Sequence, residues 1–167
     1  PPPSKEDKAT YGLQTNSPPF TITYPEGADV GYRWFDRKGE TPLFAFGHGL
    51  SYTTFNYSAL KVRGGRTVSA SFTVTNTGAR EGADVPQVYV TLPGKARRLI
   101  GWDKPVLRPG ESQTVTITAD PRLLASFDAV RQRWVVLPGK VKIEVARSAS
   151  DPVLTAQVSL IAQTIKP

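Results

Sequence analysis

Between Tyr57 and Ile161, apolar and polar side chains alternate in short runs, the period of two expected of strands with one buried and one wet face. Val68, Ala70, Phe72 and Val74 alternate with Ser69, Ser71, Thr73 and Thr75. Val115 and Ile117 stand against Thr114, Thr116 and Thr118, and Val141, Ile143 and Val145 against Lys140, Lys142 and Glu144. The pattern predicts strands over Tyr57–Arg63, Thr67–Asn76, Val85–Leu92, Arg97–Val106, Ser112–Ala119, Arg133–Leu137, Lys140–Ala146 and Leu154–Ile161. Turn sequences such as Gly64-Gly65, Asn76-Thr77-Gly78, Pro93-Gly94, Pro109-Gly110 and Pro138-Gly139 separate most of them. Asp120-Pro121 places a capping residue before a proline at the first helical position, which predicts one helical turn. Leu123, Leu124 and Phe127 are expected to plug the structure there.

Evenly spaced amphipathic strands of this kind pack as two antiparallel sheets. The predicted fold is therefore mainly β, a sandwich of the immunoglobulin or fibronectin III type. The first 42 residues read differently. Pro1–Pro19 carries five prolines and few apolar side chains, as an extended linker does. Phe20–Tyr24 alternates like a short strand, Pro25-Glu26-Gly27 turns the chain, and Val30–Phe35 is rich in aromatic and β-branched residues, which predicts a second strand. Arg37-Lys38-Gly39 follows as an exposed turn. So short a β stub cannot bury a core of its own and is expected to complete a sheet that belongs to something else.

Composition narrows the chemistry. The chain has 167 residues, 39% of them hydrophobic, which suits one domain or one and a fraction. Its 14 glycines and 15 prolines exclude a helical bundle. Without cysteine there is no disulfide, thiolate metal site or thiol nucleophile, and with His48 as the single histidine there is no His-based triad or metal centre. No cofactor and no metal are expected. The formal charge is +7 and uneven: residues 1–42 hold five basic and six acidic side chains, residues 43–167 sixteen and eight. These cations are scattered and not interleaved with aromatics, so the excess reads as a solvated surface and nucleic acid is not expected as a partner. No apolar run approaches the ~20 residues of a bilayer span, so no membrane partner is expected either. A start at Pro1 in place of Met suggests processing or cleavage.

Asp84, Glu111, Asp120, Asp128 and Asp151 fall at predicted strand ends or turns, where caps and solvated surface are their ordinary roles. Gly47-His48-Gly49 lacks the strand and helix that frame a nucleotide-binding loop. His48, with no second histidine or activated nucleophile beside it, reads as structural or surface. Asn56-Tyr57-Ser58 fits a glycosylation sequon, here read as chance. Trp34, Trp102 and Trp134 are the candidates for stacking on a sugar ring, with Trp134 expected in the core and Trp34 at the interface of the stub.

Two stretches carry a family resemblance. The run Tyr24–Asp36 (YPEGADVGYRWFD) and then Pro42–Phe55 (PLFAFGHGLSYTTF) resembles the junction in glycoside hydrolase family 3 β-glucosidases. There an EG-x-x-VGYR segment ends an α/β sandwich domain, and P-x-FPFG-[HY]-GLSYT-x-F leads into a fibronectin III-like domain. Ala45 stands where the family usually has Pro, a departure that touches only the rigidity of the connector. Pro86–Val90, Leu99–Val106, Leu107–Glu111, Phe127-Asp128, Arg133–Val136 and Val145–Asp151 resemble that family's C-terminal domain, so the likeness runs from about Phe20 to the end.

The resemblance implies a linker over 1–19, the end of an α/β sandwich domain over 20–42, a connector over 43–56 and a fibronectin III-like domain over 57–167. It implies a retaining mechanism in the full enzyme, acting on terminal β-D-glucosyl residues, with an Asp nucleophile in a barrel and a Glu acid/base in the α/β sandwich domain. Both would lie outside this chain. No catalytic residue is carried onto it: Glu26 and Asp29 sit in the matched junction but not at an acid/base position, and His48 occupies a place where the family also accepts Tyr. The chain alone is expected to be inactive. Its expected partners are the upstream barrel and α/β sandwich domains, a β-glucoside or oligosaccharide for the whole enzyme, and a second copy in a homodimer, in a periplasmic or secreted setting. Phe44, Phe46, Leu50, Tyr52 and Phe55 are expected to dock the sandwich rigidly on the catalytic body. The alternative is a free-standing carbohydrate-binding or adhesion sandwich.

Overall fold

A computed structural model describes residues 23–25 and 27–167 of the chain. Its strands are β1 (Phe55–Arg63), β2 (Ser69–Asn76), β3 (Gly82–Ala83), β4 (Gln87–Thr91), β5 (Arg98–Trp102), β6 (Val106–Leu107), β7 (Ser112–Thr118), β8 (Ser126–Asp128), β9 (Arg133–Val136), β10 (Gly139–Ser148), β11 (Asp151–Leu160) and β12 (Gln163–Ile165). One sheet has the order β1-β2-β7 and the facing sheet the order β11-β10-β4-β5, all neighbours antiparallel. The alternating apolar positions meet between them: Ala70, Phe72 and Val74 from β2, Val115 from β7, Val88 and Val90 from β4, and Ile143 and Val145 from β10 are buried in one core. At Gly101 a Cβ would overlap Ile117 of β7, so the close approach of β5 to the opposite sheet requires glycine there.

The predicted strand over Arg97–Val106 is split in two. Pro105 has no N–H for the ladder, and its carbonyl instead accepts the Asp84 N–H at 3.1 Å. The chain beyond it pairs as β6 with β3, forming a separate two-stranded ribbon. Three very short strands, β3, β8 and β12, carry too few residues to show a period. The helical turn forms at Pro121–Leu124, where the Asp120 carboxylate accepts the Arg122 N–H at 2.8 Å. Of its expected plugs only Leu124 is buried, while Leu123 and Phe127 are exposed. Phe127 instead packs edge-on against Trp134, its register partner on β9, with ring centroids 5.2 Å apart.

The linker over 1–19, Glu26 and most of the strand expected over Phe20–Tyr24 lie outside the described residues; Thr23 and Tyr24 belong to no strand. The strand expected over Val30–Phe35 is not formed. In its place Tyr32–Lys38 is an α-helix, α1. Among the described residues no strand pairs with this stretch, whereas Gly31 and Gly39, at φ 60° and 69°, bound a helix with a complete C-terminal closure. Gly39 N–H donates to Asp36 O at 3.3 Å and Glu40 N–H to Phe35 O at 3.0 Å. Arg37 and Lys38 complement the helix dipole in the last turn, and Arg33 and Arg37, one turn apart on one face, both reach back to Asp29 ahead of the helix in ion pairs of 2.6 Å and 3.4 Å. No helix among the described residues is long and apolar enough to cross a membrane.

Asn76, at the end of β2, ties three segments together while fully buried. Its amide donates to Arg80 O at 2.7 Å and Leu107 O at 2.8 Å, and its carbonyl oxygen accepts Thr53 Oγ1 at 2.7 Å and Gly78 N–H at 3.0 Å. Every side-chain bond it can make is made. Asn76→Ala would strand buried groups on three loops and is expected to lower stability by about 3 kcal/mol in denaturant unfolding.

Candidate docking face

Strands β4 and β10 are buried on both faces, which a sandwich with one wet side does not require. One face enters the core. The other is defined by register: Gln87 lies opposite Ala146 and Trp102, and Tyr89 opposite Glu144 and Leu99. Cross-strand partners point to the same side, so these six form a single patch. Over it, except at Trp102 on its edge, lie α1 and the segment around Phe46. Tyr32 packs on Phe46 at 5.2 Å and edge-on against Tyr89 at 5.7 Å, and its hydroxyl accepts the Leu99 N–H at 2.8 Å. Ala149 N–H donates to Phe46 O at 2.8 Å.

Polar groups lock this contact. Glu144 is only 5% exposed, and two cations reach it: Lys142 Nζ at 2.7 Å and Arg97 at 3.8 Å. Arg97 also pairs with Asp36 of α1 at 3.4 Å, donates its backbone N–H to that carboxylate at 3.0 Å, bonds Ala149 O and stacks over the Tyr89 ring at 5.1 Å. Burial pushes the Tyr89 phenol well above its ordinary range, with the Arg97 cation opposing, and its hydroxyl donates to Gln87. The Gln87 amide in turn donates to Arg147 O at 3.2 Å and Gly47 O at 3.4 Å. Gly47 has φ 78°, and a Cβ there would overlap that amide, so glycine is needed for both conformation and space.

The candidate carboxylates are spread around the molecule and are each engaged structurally. Asp84 accepts the Tyr57 hydroxyl at 2.7 Å, and burial together with this bond pushes the phenol far above its ordinary range. Glu111 accepts the Arg108 N–H at 2.8 Å, Asp120 caps its turn, and Asp151 pairs with Arg147 at 3.4 Å. Asp128 accepts the N–H groups of Val130 and Arg131 and the Arg131 guanidinium, which hold its carboxyl below the usual carboxylate range. His48 is exposed beside the Phe44 ring, and Asn56 is exposed on β1. Among the described residues no group of three His, Cys, Asp or Glu side chains could hold a metal ion. Trp134 is half-buried against the core, Trp34 is half-buried on α1 beneath Lys38, and Trp102 is 60% exposed. Arg97 and Gln87 were not singled out by alternation, and Glu144, which alternation sets on the wet face of its strand, is buried because Arg97 and the segment around α1 cover that face. The consecutive apolar residues Val88-Tyr89-Val90 of β4 and Val145-Ala146 of β10, which break strict alternation, were the signals for a second buried face.

Residues 84–149 match the family described as the fibronectin type III-like domain. The chain carries a fibronectin type III-like domain. Over most of its length it is similar to the C-terminal part of β-glucosidases. It is 40% identical over 147 residues to thermostable β-glucosidase B of Acetivibrio thermocellus, a match covering 82% of this chain and 20% of that protein. Among solved structures, β-glucosidase 3B from Thermotoga neapolitana in complex with glucose superimposes with a TM-score of 0.79 at 37% identity, covering 86% of this chain and 21% of that one. The family 3 β-glucosidase of Bifidobacterium adolescentis gives 0.77 at 36% identity, covering 83% and 22%. The chain thus spans about one fifth of the length of the relatives it matches. The docking patch lies on the β4–β5–β10 side of the fibronectin type III-like domain.

Arg97→Ala would leave Glu144 with one cation and α1 without the ion pair that anchors Asp36. It is expected to cost about 3 kcal/mol. Amide exchange of Trp34, Phe35 and Glu40 should accelerate at least tenfold, while Val88 and Val145 in the core stay protected.

Proposed function

We propose that this chain is the non-catalytic C-terminal portion of a retaining β-glucosidase-type hydrolase that removes terminal β-D-glucosyl residues. Residues 20–42 close the preceding α/β sandwich domain, 43–56 connect, and 57–167 form the sandwich, with 1–19 a linker. The nucleophile and acid/base belong to the upstream domains, and this portion holds those domains in place. The observation that carries the reading is an apolar strip on the connector. Leu43, Phe44, Leu50 and Tyr52 are exposed, Leu50 at 95% and Tyr52 at 93%, immediately beside a segment pinned to the sandwich through Phe46 and Gly47. Covering each such side chain is worth about 1.5–3 kcal/mol, so a surface this apolar on a rigid support suits an interdomain contact.

In the full-length enzyme, Leu50→Ser with Tyr52→Ser is expected to lower the temperature of thermal inactivation, leaving the KM for an aryl β-glucoside within about twofold. Unchanged thermal inactivation would count against docking through this strip. Aryl-glucoside turnover by the 167-residue chain on its own would show that the catalytic carboxylates lie within it. The same apolar strip could be shared by a second copy in a homodimer, in which case the double substitution also shifts the full enzyme to monomer in sedimentation.

Trp102 favours a second reading, a carbohydrate-binding sandwich. Its ring stands exposed on the edge strand β5, open to the apolar face of a sugar. That reading requires retardation in a glucan affinity gel that is lost in Trp102→Ala.

A further inference from the structure

Across α1 from Phe46 lies a trough of about 790 Å³ between the helix, the β4–β5 hairpin and the outer side of β10. Six cations line it: Arg33, Arg37, Lys95, Arg98, Lys140 and Lys142. Its two carboxylates are already committed, Asp29 to Arg33 and Arg37, and Asp36 to Arg97. Lys142 holds Glu144. The other three cations have no acid partner among the described residues. Arg98 donates to the neutral carbonyls of Leu123 and Ala125 at 3.2 and 2.9 Å, and Lys95 reaches only the Ser126 hydroxyl. The Nε groups of Arg33 and Arg98 are buried without a partner. Crowding is consistent with this picture: partial burial first, and then the neighbouring Arg98 and Arg33 cations, hold Lys95 below the usual lysine range.

We propose that this trough binds an anionic polysaccharide, one carrying carboxylates along its chain as polyuronates do. A concentration of unneutralised cations on a low-dielectric wall attracts a polyanion and exchanges small counterions for its carboxylates. The lining itself selects the class. It offers ammonium and guanidinium donors with the hydroxyl of Thr91 and the amide of Gln157, a set suited to carboxylates and sugar hydroxyls. It contains no aromatic side chain, so it lacks the stacking platform of a single-stranded nucleic-acid groove. Its large apolar members, Leu92 and Val141, are buried, so it has no pocket for the hydrophobic anchors of a protein partner. None of the trough's lining residues belongs to the exposed connector strip, although Arg33 and Arg37 lie in the 20–42 stretch assigned above to the end of the preceding domain.

The test is affinity electrophoresis and calorimetry of the full chain with polygalacturonate, with a neutral β-glucan and single-stranded DNA as comparison ligands. Lys95→Ser with Lys140→Ser, both at exposed positions, is expected to weaken polygalacturonate binding about tenfold. Lys61→Ser with Lys104→Ser, which removes the same charge away from the trough, should change it less than about twofold. Circular dichroism melting confirms that both variants fold; if the trough pair does not, Lys95→Gln alone carries the comparison. Equal losses in the two pairs would mean diffuse charge attraction and overturn the site. Absence of polygalacturonate binding at low salt, or tighter binding of DNA, would overturn it as well.

Discussion

The carboxylate of Glu144, nearly removed from water in the middle of a sheet, is the constraint on which the arrangement turns. Such a group is tolerated only when cations and donors replace the lost hydration. Lys142 supplies one cation from the same strand. The second, Arg97, arrives from the β4–β5 hairpin and is itself held by Asp36, Ala149 and the Tyr89 ring. Satisfying one buried charge therefore fixes the hairpin, the helix α1 and the turn after β10 relative to one another. An apolar residue at position 144 could fill the space but would not specify where α1 must sit.

The junction is thus held against the sandwich and is not a free tether to it. Tyr32, Phe46 and Gly47 reach the sheet through packing and through bonds to Leu99, Ala149 and Gln87. Thr53, farther along the connector, is tied to Asn76 in the loop cluster at the end of β2. The connector is thus fastened at both ends, while Leu50 and Tyr52 between them face outward. Rigid presentation matters energetically: side chains already held in place lose less entropy when another surface covers them.

Much of the fold was legible because strand alternation is a local signal, and the core positions of β2, β7 and β10 follow it residue by residue. What failed was whatever depended on a partner. Val30–Phe35 has strand-like composition, yet β propensity has meaning only beside a neighbouring strand. Local geometry decided the outcome, with two glycines at the ends and Arg33 and Arg37 four residues apart along one side, both paired with Asp29. That spacing was present in the sequence and is the helical period. Phe127 looked like a core plug by hydrophobicity alone, but its place on a three-residue strand sets it against Trp134 at the surface. The docking patch was half legible, since three consecutive apolar residues in β4, Val88-Tyr89-Val90, signal two buried faces, whereas the long-range pairing of Arg97 with Asp36 and Glu144 leaves no periodic trace.

The charge excess takes on a different meaning once the helix is in place. Along the sequence the cations after residue 43 look scattered, as a solvated surface would be. Folding gathers Lys95, Arg98, Lys140 and Lys142 from two hairpins, and α1 adds Arg33 and Arg37 from a stretch whose own charge balance is slightly acidic. Sequence neighbourhood underestimates such clustering because each contributing strand brings one or two charges at alternate positions. The helix also divides the surface into an apolar strip on the connector side and a wet, cationic trough on the other. Apolar burial is not screened by salt, while exposed ionic contacts weaken as it rises. Salt therefore separates the two faces physically: an interaction that survives high ionic strength belongs to the strip, and one that fades belongs to the trough.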